Sequence, residues 1–347
     1  MRTPTSIMRT TCACLSLLLV SIGCGQEVNI GHTAYTPASV TCPQESWTAF
    51  SPSDGSIYGH QINVISPTND GVWVGSWLRG ATHFSQDERA TFNEENSDIG
   101  DYWINDIATG TDGSTFFATQ FFGLSHFDGK HWTRYDTSNS PIASSSVRAL
   151  AQSPNGNLWV GTYDGLSVRN AVGRWATFNT DNSPLASSHI LDLFIDDDED
   201  LWISTTEYGL YAISDGEWIT YDVSNANVEP SNVLNIAQDV HGTMWFSTYE
   251  EGVVTLNRGT WASYTTDNSI LPDNMVMSVT PAANGDVWLA TFGGAIRIRN
   301  NEWRLFNEDN SGLAGNQVRV ITVSGDGTVW FGTHGDGITT AQGLSCQ

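Results

Sequence analysis

The sequence predicts an all-β protein, a seven-bladed β-propeller of four-stranded antiparallel blades, on three observations. A Trp motif recurs at a fixed period, every copy is flanked by the same order of short strands and turns, and the last copy lacks an outer strand that stands alone near the start. The motif reads VWVGS at Trp73, LWVGT at Trp159, LWIST at Trp202, MWFST at Trp245, VWLAT at Trp288 and VWFGT at Trp330, with TFFAT at Phe116 in the remaining slot. Successive slots lie 43, 43, 43, 43, 43 and 42 residues apart, which is the mark of a repeat architecture.

Within each copy the elements follow one order. An apolar-rich strand starts at Ile62, Ile104, Val147, Ile190, Val233, Val276 and Val318. A turn such as SPNG, AANG or SGDG leads into the Trp strand, and a Gly follows it: Gly80, Gly123, Gly165, Gly209, Gly252, Gly294 or Gly337. A third short strand and a tight turn (FDGK, SDGE, NRGT, RNNE) then give way to an aromatic fourth strand, as in HWTRY, RWATF, EWITY, TWASY and EWRLF. Short alternating strands between Gly, Asn and Asp turns describe a four-stranded meander. One such sheet cannot bury both faces, whereas stacked neighbours can, and a solenoid would need polar caps that the sequence does not show. The ring is expected to close through SWTAF at 46–50, which supplies the outer strand that the seventh copy, ending in GITTAQGLSC, has lost.

Two cysteines fit that closure. Trp159 and Trp175 are 16 residues apart, so the missing outer Trp of the last copy would fall near position 346, where Cys346 stands, while Cys42 precedes Trp47 by five residues. A Cys42–Cys346 disulfide is expected, worth about 5 kcal/mol on chain-entropy grounds in an oxidising compartment.

Residues 1–23 read as a lipoprotein-type signal peptide. Arg2 and Arg9 form the basic region, CACLSLLLVSI is an apolar stretch too short to span a bilayer, and SIGC resembles a bacterial lipobox with Cys24 as the acylated residue. Ser21 departs from the usual Leu, which leaves ordinary cleavage near Gly23 as the alternative. Residues 24–44 would be a tether and 45–347 the propeller, held at the cell envelope by its lipid alone. With 14 basic and 38 acidic residues the formal charge is −24, which argues against nucleic acid and against a polybasic membrane patch.

The stretches NGNLWVGTYDGL, HGTMWFSTYEEGV and DGTVWFGTHGDGI resemble the two-component regulator propeller repeat, and all seven copies match to some degree. The resemblance implies the propeller fold and a ligand-reading role, because in that family the propeller is usually the periplasmic sensor of a hybrid histidine kinase and often reads oligosaccharides. No kinase or receiver sequence is present here, so kinase activity is not carried over.

In a propeller the second-to-third and fourth-to-first strand connections share one face. Here the former carry Trp77, Phe121, Phe122, Tyr163, Tyr208, Tyr249, Phe292 and His334 with the acids Asp164, Glu207, Glu250, Glu251 and Asp336, and the entries to the inner strands add His60, Gln61, Trp103 and His189. Aromatic planes with amides and carboxylates suit a glycan, a peptide or a cation; the competing reading is that the rings only wedge between blades. Propeller lyases use a His or Tyr base beside a cation, and His189 with Tyr208, Tyr249 and Arg148 could form such a set. A structural interaction scaffold, with an envelope protein as partner, is the third alternative, and a monomer is expected throughout. No cofactor is expected; calcium or magnesium at DDDED, 196–200, is the one alternative, and that stretch lacks the EF-hand glycine and spacing and reads as a solvated turn. Asn96, Asn139, Asn182, Asn225, Asn268 and Asn310, four residues past each outer-strand aromatic, are read as Asx-turns bonding the backbone two residues on.

Overall fold

The computed structural model describes residues 44–54, 57, 59, 61–85, 88–110, 112–206, 209–222 and 232–344. They form seven four-stranded antiparallel sheets. The inner strands are Ile62–Pro67, Ile104–Thr109, Val147–Gln152, Ile190–Ile195, Val233–Gln238, Val276–Pro281 and Val318–Val323, which we number as blades one to seven. Each inner strand borders those of both neighbouring blades, and the first borders the seventh, so the sheets form a ring.

The core lies between the blades. The small residue of the Trp motif is dictated by the next blade: a Cβ at Gly161 would lie 2.6 Å from Ile190 Cγ2, and one at Gly332 2.6 Å from Ile62 Cγ2. The Trp itself bridges blades, as when Trp73 meets Phe117 edge-on at 5.0 Å and Trp202 meets Phe246 at 5.5 Å. Its indole N–H is held by the side chain six residues earlier: Trp202 Nε1 donates to Asp196 Oδ2 at 2.8 Å, Trp245 Nε1 to Asp239 Oδ2 at 2.9 Å, and Trp159 and Trp330 to Ser153 and Ser324 at 3.2 Å. Asp196 of the DDDED stretch is thereby accounted for as a packing device.

The ring closes as expected. Ser46–Phe50 pairs antiparallel with Ile338–Gln342, Trp47 opposite Ala341. Trp47 stacks on Phe331 at 5.7 Å and lies 6.1 Å from Phe306 of blade six. The equivalence with other blades extends to the motif glycine. Gly123 has φ +92° and a Cβ there would overlap the Tyr135 carbonyl oxygen; Gly337, at φ +83°, stands in the same relation to the carbonyl of Phe50. The far end of blade six is fixed by a buried ion pair, Arg299 Nε and Nη2 each 2.5 Å from Asp286, with Arg297 Nη1 donating to the Leu344 carbonyl at 2.6 Å.

The recurrent asparagines are structural, but their bonds run backwards rather than forwards. Asn139 Oδ1 accepts from the Asp136 N–H at 3.0 Å while its Nδ2 donates to the Arg134 carbonyl at 3.1 Å, and Asn96, Asn182, Asn268 and Asn310 repeat the arrangement. The forward Asx-turn belongs to the residue three positions earlier, as where Asn179 Oδ1 accepts from the Asp181 N–H at 2.9 Å. Asn225 lies outside the described residues, as do Cys24, Cys42 and Cys346 and with them the acylation and disulfide expectations.

Candidate ligand face and axial cavity

Each inner strand carries a β-bulge at its second residue: register against the Trp strand shifts between Ile62 and Val64, Ile104 and Asp106, Val147 and Ala149, and at the same place in every other blade. A bulge re-aims side chains, so the second and third residues both face the axis instead of alternating. They line a cavity of about 200 Å³ that includes Asn63, Asn105, Asp106, Arg148, Asp192, Asn235, Ser278 and Arg319, with Gln61 and Trp103 also on its wall.

Many of these groups tie blade to blade. Asn63 Nδ2 donates to the Ile104 carbonyl at 2.9 Å and Asn105 Nδ2 to that of Val147 at 2.7 Å. Asp106 Oδ2 accepts from the Leu150 N–H at 2.8 Å, Asp192 Oδ2 from the Ile236 N–H at 2.7 Å, and Asn235 Oδ1 from the Val279 N–H at 2.9 Å. The register is the same in all three, so these are rivets, each satisfying a backbone donor of the next blade. Burial dominates both carboxyls. It pushes Asp106 up to about 6 against its backbone hydrogen bonds and the Arg148 charge, and Asp192 up to about 7 with help from the Asp106 charge.

Above the axis the aromatic residues pair across blades. Trp77 of blade one packs on Trp103 of blade two at 5.0 Å, and Trp103 meets Phe121 edge-on at 6.0 Å. Tyr163 of blade three stacks on His189 of blade four at 3.9 Å, and Phe292 lies 6.2 Å from His334. The residue after the Trp strand extends the ladder to the residue before the inner strand, as in Trp77 N–H to Gln61 C=O at 3.0 Å and Tyr163 N–H to Ser146 C=O at 3.1 Å. Beneath the first cluster sits Asp101, fully buried, accepting from the Trp103 N–H at 3.0 Å and the Phe121 N–H at 2.8 Å; burial raises its carboxyl.

The structure therefore joins Trp77, Trp103 and Phe121 in one corner and Tyr163 and His189 in another. Phe121 and Tyr249 remain about half exposed, at 55% and 47%. Glu250 is exposed beside Tyr249. His60, Glu207 and Tyr208 lie outside the described residues. The His189 ring meets Tyr163 rather than Tyr249, and burial, then the charge of Arg148, hold it below the ordinary imidazole range, so it is neutral at pH 7. Gln61 was expected on this face, whereas Asp101 and Arg319 had no place among the site residues expected from sequence. Arg319 and Arg148 share one repeat position, a signal legible only once the bulge is known. Among the described residues no group of three or more His, Cys, Asp or Glu is placed to hold a metal ion.

Residues 141–164 and 312–335 match the sequence profile described as the two component regulator propeller. Both segments run from the connection after one blade's outer strand through the next blade's Trp strand. No curated protein sequence matches the chain. Among solved structures, a streptogramin B lyase is 17% identical with a TM-score of 0.68, over 86% of this chain and 97% of that one. The extracellular domain of a putative hybrid two component system from B. thetaiotaomicron is 21% identical with a TM-score of 0.68, over 83% of this chain and only 40% of that one. YCF48 bound to D1 peptide is 12% identical with a TM-score of 0.62, over 86% of this chain and 96% of that one. These identities show the fold alone, and the three proteins differ in what they do with it.

Proposed function

From a chain that carries two-component regulator propeller repeats in a closed ring of seven blades, we propose an exported, lipid-tethered propeller that binds a ligand, a glycan or a peptide, and reports it to an envelope partner. The observation that carries this reading is the aromatic corner. Trp77 and Phe121 stay exposed while the backbone N–H of Trp103 between them is held by the buried Asp101 side chain, and Trp103 itself lines the axial cavity. Rings fixed in place and left uncovered give large contact area at little entropic cost when a sugar ring or an extended peptide settles on them.

The test is thermal melting of the protein against panels of oligosaccharides and peptides. A ligand at a hundred times its dissociation constant adds about 2.7 kcal/mol of stability. A shift that disappears in Trp77→Ala and Phe121→Ala places binding at this corner; no shift in either panel would remove the reading and leave the scaffold alternative.

A second reading is favoured by one observation. His189 is neutral at pH 7, presses on Tyr163 and feels the Arg148 charge, which are a base and an electrophile of the kind an eliminating lyase uses. Turnover of the ligand found above, lost in His189→Ala with binding retained, would establish it.

A further inference from the structure

The axial cavity holds polar groups that the protein does not satisfy. Arg319 Nε is buried and has no hydrogen-bond partner among the described residues, and neither Arg319 nor Arg148 forms an ion pair there. The two guanidiniums are near enough that the charge of Arg148 adds to burial in depressing Arg319. At the same cavity Gln61 Oε1 and Ser278 Oγ are also buried and unpartnered, although Gln61 Nε2 donates to Asn63 Oδ1 at 3.3 Å. So the wall offers unused cationic donors for an oxyanion and an unused acceptor for a hydroxyl.

The two carboxylates on the wall do not cancel the cations. Asp106 and Asp192 spend their oxygens on backbone N–H groups of their own and the adjoining blades, and the Asp192 charge is only partly developed at neutral pH. The two guanidiniums thus have no carboxylate within ion-pair distance among the described residues, inside a protein whose formal charge is −24. A surface that acidic repels anions at long range, so an anion held here is held by local contacts.

Size and surroundings narrow the occupant. A cavity of about 200 Å³ is smaller than the ~300–1,000 Å³ of a whole small-molecule site, so it suits one unit of a larger ligand. Trp103 lines the cavity and packs against Trp77 at 5.0 Å with the planes 46° apart, so the next unit would emerge against aromatic rings. We propose that the axial cavity is a subsite for a hexuronate, with Arg148 and Arg319 taking the carboxylate, Gln61 and Ser278 the hydroxyls, and the adjoining sugar lying on Trp103 and Trp77. This rests on the glycan form of the function proposed above and names the charged unit of that glycan.

Calorimetric titration of the purified full chain tests it with four probes: cellobiouronic acid, cellobiose, sodium glucuronate and the dipeptide Gly-Glu. The acid disaccharide is expected to bind at least tenfold more tightly than cellobiose, equivalent to 1.4 kcal/mol. Arg319→Gln should bring the affinity for the acid disaccharide down to that for cellobiose, costing the acid at least tenfold more than it costs cellobiose, and Arg319→Lys, which keeps the charge and loses Nε, should keep part of the preference. Melting curves of both variants control for folding. Equal affinity for the two disaccharides overturns the subsite and leaves the aromatic face standing. Arg319-dependent binding of sodium glucuronate alone keeps the subsite and removes the wider face. Arg319-dependent binding of Gly-Glu in place of the sugars overturns the hexuronate in favour of a peptide carboxylate, and no binding of any probe overturns both.

Discussion

Asp192 makes the stability of this propeller fall as pH rises through the range where most proteins gain. Its carboxyl is pushed up to about 7 in the fold from an ordinary 3.8, burial first and the Asp106 charge second. Between those two values the folded protein keeps a proton that the unfolded chain has released, so raising the pH favours unfolding. The stabilising term is complete below about pH 4 and gone above about pH 7. Two of those pH units, from 5 to 7, correspond to about 3 kcal/mol at 1.36 kcal/mol per unit, with contact to the axial cavity reducing the effect. Asp192→Asn removes the titration. It also costs a constant amount, because an amide cannot accept every bond the carboxylate accepts, so the readout is the slope and not the offset. Urea denaturation of both proteins between pH 5 and 8 should show the Asn variant gaining on the parent by about 2–3 kcal/mol across the range. All other titrating groups except Asp106 contribute alike to both proteins and drop out. A difference flat with pH to within about 0.5 kcal/mol, the scatter of such comparisons, would mean that Asp192 ionises as an ordinary carboxyl and that the buried-rivet argument is wrong.

Three further outcomes are expected. Gly123→Ala should cost about 2–3 kcal/mol, since its φ is +92° and the new methyl meets the Tyr135 carbonyl, whereas Gly129→Ala, with the same φ and nothing within 4 Å, should cost about 1 kcal/mol in the same denaturation assay. Arg299→Leu leaves the Asp286 carboxylate, 2% exposed, without its bidentate partner and should destabilise by about 3–5 kcal/mol at pH 7, much of it restored by adding Asp286→Asn. The His189 imidazole, followed by NMR, should titrate below the ordinary range, and Arg148→Gln should move it upward.

The fold was legible in the sequence because a propeller repeats its constraints. The Trp slot, the small residue under the next blade's Ile or Val and the Gly against an outer-strand carbonyl each recur at one spacing, so the missing outer strand could be located at 46–50. The aromatic face was legible as a set, since connection parity alone sorts residues onto it. Which ring meets which was not, because Trp77–Trp103 and Tyr163–His189 are contacts between blades and no periodicity within one blade reports them. The axis was missed for a different reason. In a regular strand Arg319 and Val320, or Asn105 and Asp106, would point to opposite faces; the bulge puts both on the cavity wall, and no residue type announces a bulge of this kind.

The strand at 46–50 has a consequence for how the molecule comes into being. The Thr340 hydroxyl donates to the Thr48 carbonyl across 292 residues of chain, so among the described strands the earliest made pairs with the latest made. Until both have been made the ring carries two unpaired edges, one on each side of an incomplete circle. Sealing them is the latest event and the most non-local one, which marks it as the slow step. Moving residues 44–54 to follow residue 344 would turn that step into an ordinary hairpin: the finished ring would be the same, and the wait would be gone.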